Sequence, residues 1–432
     1  MESSRFEPDS RGLVVAPAER ALHGAGEEAL ADRSRPPVVI LAGGVTALGV
    51  MRAFGRRGVT TYVHPDTSEY VRHSRWYQPL PGDLPRSSAE SRSVSALREA
   101  LERSGLEYAF LCACSDDWTR AVADLSELAG HRFLSVVPTP VALDRLQDKG
   151  RLAELLQELG VPMPATRLIE DESDLSHLPQ STDTFYFLKP TDSQLFLAHF
   201  GAKGMRVPTI EEARRRLREI IAAGMSVVLQ EYIPGPCSEH HFVDGYVDRA
   251  GRVKALFARR RLRIYPPDFG NSTAMVSIPL DEVQQAVDSL RTVLRAVGYH
   301  GIFSGEFKRD PRDGRFKLLE INTRPWWFID FAVRCGVDVC RMAYDDAQGL
   351  SITAVNEYKV GATCVFPYYD FFAVQPMLAD GRMSWRRWAH EIAVSLQPVA
   401  CWDDPLPATI AFSRILKSAV RNRLQRPSLV GR

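Results

Sequence analysis

The sequence has almost no net charge, no paired cysteine motif and no apolar run long enough to cross a membrane. Its formal net charge is +1 over 432 residues, so no overall field directs it toward nucleic acid or an anionic bilayer. The seven cysteines show no CxxC or Cys/His ligand spacing, which predicts reduced thiols. No apolar run approaches the ~20 residues of a membrane span, and polar residues follow Met1. These absences predict a cytoplasmic protein that binds neither nucleic acid nor a membrane.

A dinucleotide-binding fingerprint is also missing. Residues 38–57 read as a buried strand, a turn at Gly43 and Gly44, and a helix, which is the context in which that fingerprint occurs. The GxGxxG spacing itself is absent, so the sequence disfavours a nicotinamide enzyme. We interpret the turn as a vestigial or substrate-facing loop.

The composition is that of a globular protein, with 45% hydrophobic and 25% charged residues. Strand and helix patterns alternate after the Pro-rich residues 35–37, which predicts a doubly wound α/β unit. A charged helical segment over 141–160 then introduces two lobes of strands and helices. We predict four parts: a disordered tail (1–35), an α/β domain (36–138), a two-lobed α+β domain (139–350) and a C-terminal extension (351–432).

Two apolar runs that carry carboxylate and amide side chains give the strongest functional signal. Residues 310–314, DPRDG, lie between the runs and predict a hairpin turn. Glu320 and Asn322 are two residues apart on one strand and share a face, and Glu306 converges with them if it faces the same way. Oxygen ligands without His or Cys suit a hard cation such as Mg²⁺ beside phosphate oxygens. The alternative is a solvent-exposed hairpin whose acids pair with nearby basic residues.

Several basic residues could neutralise phosphate. Lys189 ends a strand and Lys149 lies in the charged helical segment, and either could act as a point charge on phosphate or lie in solvent. Lys203 lies between two glycines, in a loop that could fold over phosphates or be an ordinary exposed loop.

An arginine run occupies residues 259–263, on a predicted strand. Its alternate members face opposite ways, and those on a cleft side could hold a triphosphate or an acid substrate. We assign Arg260 as the catalytic candidate of this run, with a solvated basic face as the alternative. By the same alternation, at most one of His240 and His241 faces the site.

A strand over 227–233 stops sharply at Pro234 and Gly235. Backbone groups before such a break could pair with a purine edge, and Glu231 and Glu239 are acids available to ribose hydroxyls. A buried strand followed by a surface turn is the alternative.

Taken in order, these motifs resemble the ATP-grasp superfamily, and within it the D-aspartate-ligase-like carboxylate–amine ligases. The resemblance rests on Asp148-Lys149, Leu188-Lys189-Pro190, the stretch 229–235, Gly305-Glu306-Phe307-Lys308 and the stretch 319–325. It covers about residues 36–350 and implies a Rossmann-like pre-ATP-grasp domain, followed by a two-lobed ATP-grasp fold and a C-terminal extension.

The resemblance implies a role for each matching residue. Lys149, Lys189 and the loop residue Lys203 would contact nucleotide phosphates. The stretch Gln230, Glu231, Tyr232 and Ile233 would take adenine, with Glu239 on the ribose. Glu306, Glu320 and Asn322 would hold Mg²⁺, with Mn²⁺ as the alternative ion, and Arg324 would face the transferred phosphate or a substrate carboxylate.

The implied activity is ATP-dependent ligation of a small carboxylate to an amine, through an acyl-phosphate, with release of ADP and phosphate. An amino acid or short peptide is the expected substrate class. Three alternatives stay open: a small-molecule kinase, a non-catalytic nucleotide-binding module, and the disfavoured nicotinamide enzyme. A homodimer is also left open.

Overall fold

The computed structural model describes residues 35–82, 92–128, 132–177, 185–190, 196, 199–201, 204–267, 270–355 and 357–413. The chain divides into residues 1–36 and 37–432, and every element below belongs to the second unit. The predicted tail lies outside the described residues except for Arg35. Within the described ranges, no helix combines the length and apolar character needed to span a bilayer.

The second unit begins with a five-stranded parallel sheet. Its strands are β1 (Val38–Leu41), β2 (Thr61–Val63), β3 (Gln78–Pro79), β4 (Ala109–Ala113) and β5 (Phe133–Leu134), in the order β3-β2-β1-β4-β5. Its helices are α1 (Gly44–Gly55), α2 (Glu69–Arg72), α3 (Val94–Ser104) and α4 (Asp116–Leu128). All four residues of β1 are buried, as expected for a central parallel strand. The strand order reverses between β1 and β4, which places a crevice at their carboxyl ends.

The glycine turn after β1 packs closely against the neighbouring chain. A Cβ on Gly43 would lie 2.5 Å from Thr67 Cα, so this position requires glycine. Gly44 has φ +83°, in the left-handed region that favours glycine. Close packing and backbone conformation thus account for both glycines.

Two short helices follow where the sequence predicts one charged segment over 141–160. They are α5 (Pro140–Gln147) and α6 (Lys149–Glu158). Asp148 is extended, with ψ 122°, and its side chain accepts a hydrogen bond from the Arg151 amide. It therefore ends α5 and caps α6, because an N-cap residue leaves the helical conformation. This break corrects the single-segment prediction and makes Lys149 the first residue of α6.

A four-stranded antiparallel sheet forms the first lobe. Its strands are β6 (Thr166–Ile169), β7 (Tyr186–Pro190), β8 (Met205–Val207) and β9 (Val227–Glu231), in the order β6-β9-β7-β8, with α7 (Ile210–Ala222) beside them. Leu188, Val227 and Leu229 pack in the core that includes α7. Alternation therefore turns Lys189 and Gln230 to the opposite face.

A six-stranded sheet, antiparallel in every pair, forms the second lobe. Its strands are β10 (His240–Val247), β11 (Val253–Tyr265), β12 (Asn271–Ile278), β13 (Gly301–Arg309), β14 (Phe316–Asn322) and β15 (Thr363–Val365), in the order β14-β13-β10-β11-β12-β15. The associated helices are α8 (Gln284–Ala296), α9 (Ile329–Arg334) and α10 (Val339–Ala347). Phe307 packs in the core with Leu290 of α8, so its neighbour Glu306 faces the other side.

The described residues after 350 pack onto the six-stranded sheet and onto α1. They form β15 and the helices α11 (Pro367–Ala379) and α12 (Trp385–Val394). Buried Asp370 pairs with Arg263 of β11 and also accepts hydrogen bonds from Thr273 and Trp388. Farther along, Asp404 pairs with buried Arg52 of α1. These contacts show how the extension is fastened, while the predicted boundaries near residues 138 and 350 stay predictions.

The three sheets confirm the predicted α/β class: a parallel front sheet is followed by two antiparallel lobes. The predicted hairpin is present as β13 and β14. Element ends differ from the sequence prediction by a few residues, as is common where helix and strand ends lack strong signals.

Candidate active site

A cavity of about 200 Å³ lies where the first lobe, β14 and the helices α5 and α6 meet. Lys149, Lys189 and Gln230 line it from one side, and Glu320 and Asn322 from another. Leucine side chains, including Leu152 and Leu318, complete its walls. A cavity with apolar walls and a few convergent polar groups is typical of a small-molecule site.

Two carboxylates face each other across the hairpin, and one of them, Glu320, lines the cavity. Glu306 of β13 is directly opposite Glu320 of β14, and Asn322 is opposite Ser304. Opposite residues of an antiparallel pair lie on one face, with Cβ atoms about 5 Å apart. The three side chains therefore converge as the sequence predicts.

Glu306 is held ionised by its neighbours. His240 Nδ1 lies 2.8 Å from Glu306 Oε1, and Arg261 Nη2 donates to the same oxygen at 3.0 Å. Burial alone would raise the pKa of Glu306, but Arg261, His240 and Lys189 together lower it to about 2. Burial lowers the pKa of His240 to about 4. Neutral His240 therefore donates from Nδ1, and Glu306 remains a carboxylate.

Glu320 has the opposite electrostatic environment. Enclosure by the cleft and the nearby charge of Glu306 raise its pKa, while Lys189 and Asn322 partly offset them. Its Oε1 accepts a 3.2 Å hydrogen bond from Asn322 Nδ2. Because Glu320 lies beside a second carboxylate and has Lys189 as its cationic neighbour, an added cation would stabilise its charge.

The donor set suits a hard divalent cation. Both bonds to Glu306 reach Oε1, and the bond from Asn322 reaches Oε1 of Glu320, so each glutamate keeps its Oε2 for a ligand. Across the ranges that the structure describes, no group of three or more His, Cys, Asp or Glu side chains is placed to hold a metal. Two carboxylates and one amide leave further positions for phosphate oxygens and water, the arrangement that Mg²⁺ prefers.

The two predicted lysines reach the same cavity. Lys149 Nζ donates to the Pro190 carbonyl at 2.9 Å, next to Lys189 in the chain. Burial lowers the pKa of Lys189. The charges of Glu320 and Glu306 raise this pKa, and the charge of Lys149 lowers it. The pair places positive charge beside the carboxylates, where phosphate oxygens would neutralise it.

The predicted adenine-binding stretch is divided between the cavity and the hairpin. Gln230 lines the cavity and donates to Thr166 Oγ1 at 3.1 Å. Glu231 instead pairs with Arg312 of the hairpin turn. The carbonyl of buried Ile233 accepts from Lys308 Nζ at 2.6 Å. Lys308 Nζ also lies 4.7 Å from the ring centre of Tyr232. These contacts fasten the end of β9 to the second lobe.

The remaining predicted residues lie at different places. Glu239 is in the short 3₁₀ turn Cys237–Glu239, partly exposed, and its carbonyl contacts His241. Lys203 lies outside the described residues. Arg260 faces away from Glu306, because its neighbour Arg261 is the residue that contacts Glu306 and adjacent strand residues point apart. The structure therefore brings Arg261, and not Arg260, to the acidic pair.

Arg324 binds a residue of the front sheet. Its Nε and Nη2 donate to the two carboxylate oxygens of Asp116 at 2.8 and 3.1 Å. Its Nη2 also donates to Asn322 Oδ1 at 3.1 Å. Asp116 follows β4 at the crevice of the front sheet and lines the cavity. Sequence analysis missed Asp116, although a polar residue just beyond a buried parallel strand is a recognisable signal.

Two curated proteins are similar to part of this chain. The D-aspartate ligase of Enterococcus faecium (strain Aus0004) is 26% identical over 245 residues, which cover 55% of this chain and 58% of the relative. The D-alanine–D-alanine ligase of Neisseria meningitidis serogroup A is 24% identical over 185 residues, 41% of this chain and 57% of the relative. The chain thus spans a little over half the length of these relatives. No family model matches it.

Solved structures match over a larger share of the chain. N5-carboxyaminoimidazole synthetase from Staphylococcus aureus has a TM-score of 0.56 at 12% identity, covering 80% of this chain and 86% of that one. Biotin carboxylase from Campylobacter jejuni has a TM-score of 0.57 at 17% identity, and the match covers 78% of this chain and 75% of that one. L-amino acid ligase from Bacillus licheniformis has a TM-score of 0.52 at 14% identity, and the match covers 73% of this chain and 75% of that one. At these identities the likeness establishes the fold alone.

Proposed function

This chain belongs to the ATP-grasp superfamily, and we propose that it is an ATP-dependent ligase that joins a carboxylate to an amine. The observation that carries the proposal is the pairing of Glu306 with Glu320 across the hairpin, beside Asn322 and within range of the Lys189 charge. This arrangement suits a nucleoside triphosphate with a divalent cation, because Mg²⁺ is usually held by one or two carboxylates together with phosphate oxygens.

ATP would occupy the cavity, with its phosphates directed toward the lysines and the acidic pair. Lys149 and Lys189 contact phosphate oxygens, and Lys203, which lies outside the described residues, stays a proposed phosphate contact. Gln230 is available to adenine from the cavity wall, while Glu231, Tyr232, Ile233 and Glu239 remain proposed contacts of adenine and ribose. Mg²⁺, with Mn²⁺ as the alternative, would be held by Glu306, Glu320 and Asn322 and would reduce repulsion between the anions.

The chemistry needs no covalent bond to the protein. A substrate carboxylate oxygen attacks the γ-phosphorus of ATP, ADP leaves, and an acyl-phosphate forms. An amine then attacks the acyl carbon and phosphate leaves. The protein positions the reactants and neutralises charge, with Arg324 and Arg261 as the cleft-side guanidinium groups that bind oxyanions. Arg261 takes the role that the sequence predicted for Arg260.

We propose that at least one substrate is an amino acid or a short peptide. The relatives named as D-aspartate ligase and D-alanine–D-alanine ligase act on such substrates, as does the L-amino acid ligase among the similar structures.

All seven cysteines are free thiols, which fits the reducing cytoplasm as the site of the reaction.

The experiment is to incubate the protein with ATP, Mg²⁺ and a mixture of D- and L-amino acids, and to measure ADP, phosphate and new masses together. Equal ADP and phosphate, with a product equal to acid plus amine minus water, would establish the ligase. ADP with a phosphorylated product and no free phosphate would instead establish a kinase. ATP binding without turnover would overturn the ligase in favour of a nucleotide-binding module.

A further inference from the structure

Asp116 is the point at which the front sheet reaches the candidate active site. It is the first residue of α4 and is separated from β4 by Cys114 and Ser115, at the crevice where the strand order reverses. Its side chain is 49% exposed and lines the cavity together with Lys149, Lys189 and Glu320. The front domain thus contributes a charged group to a cavity otherwise built by later elements.

Asp116 has a charge partner that an incoming anion would compete for. Both of its oxygens accept from Arg324, and Arg324 also contacts Asn322, which contacts Glu320. Arginine binds phosphate oxygens in the same two-pronged manner as carboxylate oxygens. An acyl-phosphate at the cation site would therefore compete with Asp116 for Arg324.

Asp116 differs from the other acids nearby. Among the described residues that line the cavity, the acids are Asp116 and Glu320, and Glu320 belongs to the cation site. The adjacent Asp117 pairs with Arg92 and does not line the cavity. Once Arg324 turns to an oxyanion, Asp116 is the carboxylate left without a cation.

We propose that Asp116 binds the attacking amine, an inference that rests on the proposed ligase function. The amine arrives as an ammonium group, whose positive charge replaces that of Arg324 on Asp116. Formation of the acyl-phosphate thus creates the amine site, because the same anion that takes Arg324 frees Asp116. The acceptor substrate is accordingly a cationic amine, such as the α-ammonium group of an amino acid.

The bonds and protons balance without another reactant. The ammonium first loses one proton to solvent, and its nitrogen then forms a bond to the acyl carbon. The C–O bond to phosphate breaks, and its electron pair leaves with the phosphate together with the second proton of the nitrogen. Asp116 orients the nitrogen through a hydrogen bond and does not bond to carbon.

Hydroxylamine separates the two halves of the reaction. It is small and uncharged at neutral pH, so it traps an acyl-phosphate as a hydroxamate without needing a carboxylate to bind it. The full chain is incubated with ATP, Mg²⁺ and D- and L-amino acids, with hydroxylamine in parallel samples. Hydroxamate is measured by its iron complex and amide by mass spectrometry. The variants are Asp116→Asn, Asp116→Glu and the matched control Asp117→Asn.

We expect Asp116→Asn to form hydroxamate within about twofold of wild type, since asparagine has the same size and keeps one oxygen that can accept from Arg324. Its amide formation should fall roughly tenfold to a hundredfold, the effect of losing a hydrogen bond to a charged group. Asp116→Glu should recover most of the amide, and Asp117→Asn should leave both products unchanged.

Parallel loss of hydroxamate and amide in Asp116→Asn would overturn the inference, because it would mean that Asp116 only positions Arg324. Unchanged amide formation would overturn it as well. Wild-type protein that forms neither product would overturn the proposed ligase itself, and the inference would fall with it.

Discussion

Replacing Glu320 by glutamine should abolish ADP formation without lowering the stability of the ligand-free protein. Glutamine keeps the size and the hydrogen-bonding oxygen of the side chain but removes its charge. In the ligand-free structure that charge is unfavourable, because enclosure and Glu306 raise the pKa of Glu320. In the proposed ATP complex the same charge would hold the cation.

The stability effect follows from the geometry of the pair. Facing residues of an antiparallel pair have Cβ atoms about 5 Å apart, and two unit charges at that separation would repel by about 3 kcal/mol at an effective dielectric constant of about 20. Lys189, Asn322 and solvent in the cleft reduce this to about 1 kcal/mol or less. The ligand-free Glu320→Gln variant should therefore melt at the same temperature as wild type or about 1–2 °C higher.

The effect of ligand has the opposite sign. ADP with Mg²⁺ at a hundred times its Kd should stabilise wild type by about 2.7 kcal/mol. Most of that gain in stability should be lost in Glu320→Gln. ADP formation should fall at least about 100-fold, which is the typical loss of rate when an enzyme loses one group that stabilises charge in the transition state.

Thermal melting with and without Mg²⁺ and ADP, together with an ADP-release assay, tests both effects. Asp313→Asn is the matched control, since Asp313 lies exposed in the turn of the same hairpin and pairs with Lys317. A variant that turns over ATP near the wild-type rate would refute the cation site. A melting temperature several degrees lower would refute the electrostatic reasoning.

Three further substitutions test neighbouring contacts. Lys189→Ala should weaken ATP binding roughly tenfold to a hundredfold with little loss of stability, measured by calorimetry and melting, and equal loss of both would indicate a structural lysine. Arg261→Ala should cost about 3 kcal/mol and most activity, because it removes the guanidinium partner of Glu306 and leaves the hydrogen bond from His240. Arg260→Ala should stay within about 0.5 kcal/mol in denaturant unfolding, and the reverse ranking would contradict the assignment. Asp370→Ala should cost about 3–5 kcal/mol because a buried arginine loses its partner, and a smaller change would show that the extension is held elsewhere.

The sequence predicted the order of elements because each strong signal is local. The buried apolar run of β1 and the turn residues 310–314 specify their elements with few long-range contacts. The break at Asp148 was missed, because a helix cap inside a charged helical pattern resembles a continuing helix.

The sequence also predicted most residues that converge on the site. Period-2 alternation placed Glu320 and Asn322 on one face, and the hairpin turn set Glu306 opposite Glu320. Alternation also required neighbouring arginines to point apart, but it could not say which ones face the cleft. That choice depends on which face of the sheet α8 covers.

Only the tertiary structure decided the partners of these residues. Asp116 meets Arg324 across 208 positions of sequence, and Asp370 meets Arg263 across 107. Such pairs depend on how the sheets and the C-terminal helices pack. The sequence around each of the four residues does not indicate which residue it will contact. The sequence by itself therefore determined the elements and the acidic pair, whose spacing is local. Packing of distant segments decided how that pair is neutralised and brought Asp116 of the front sheet to the cavity.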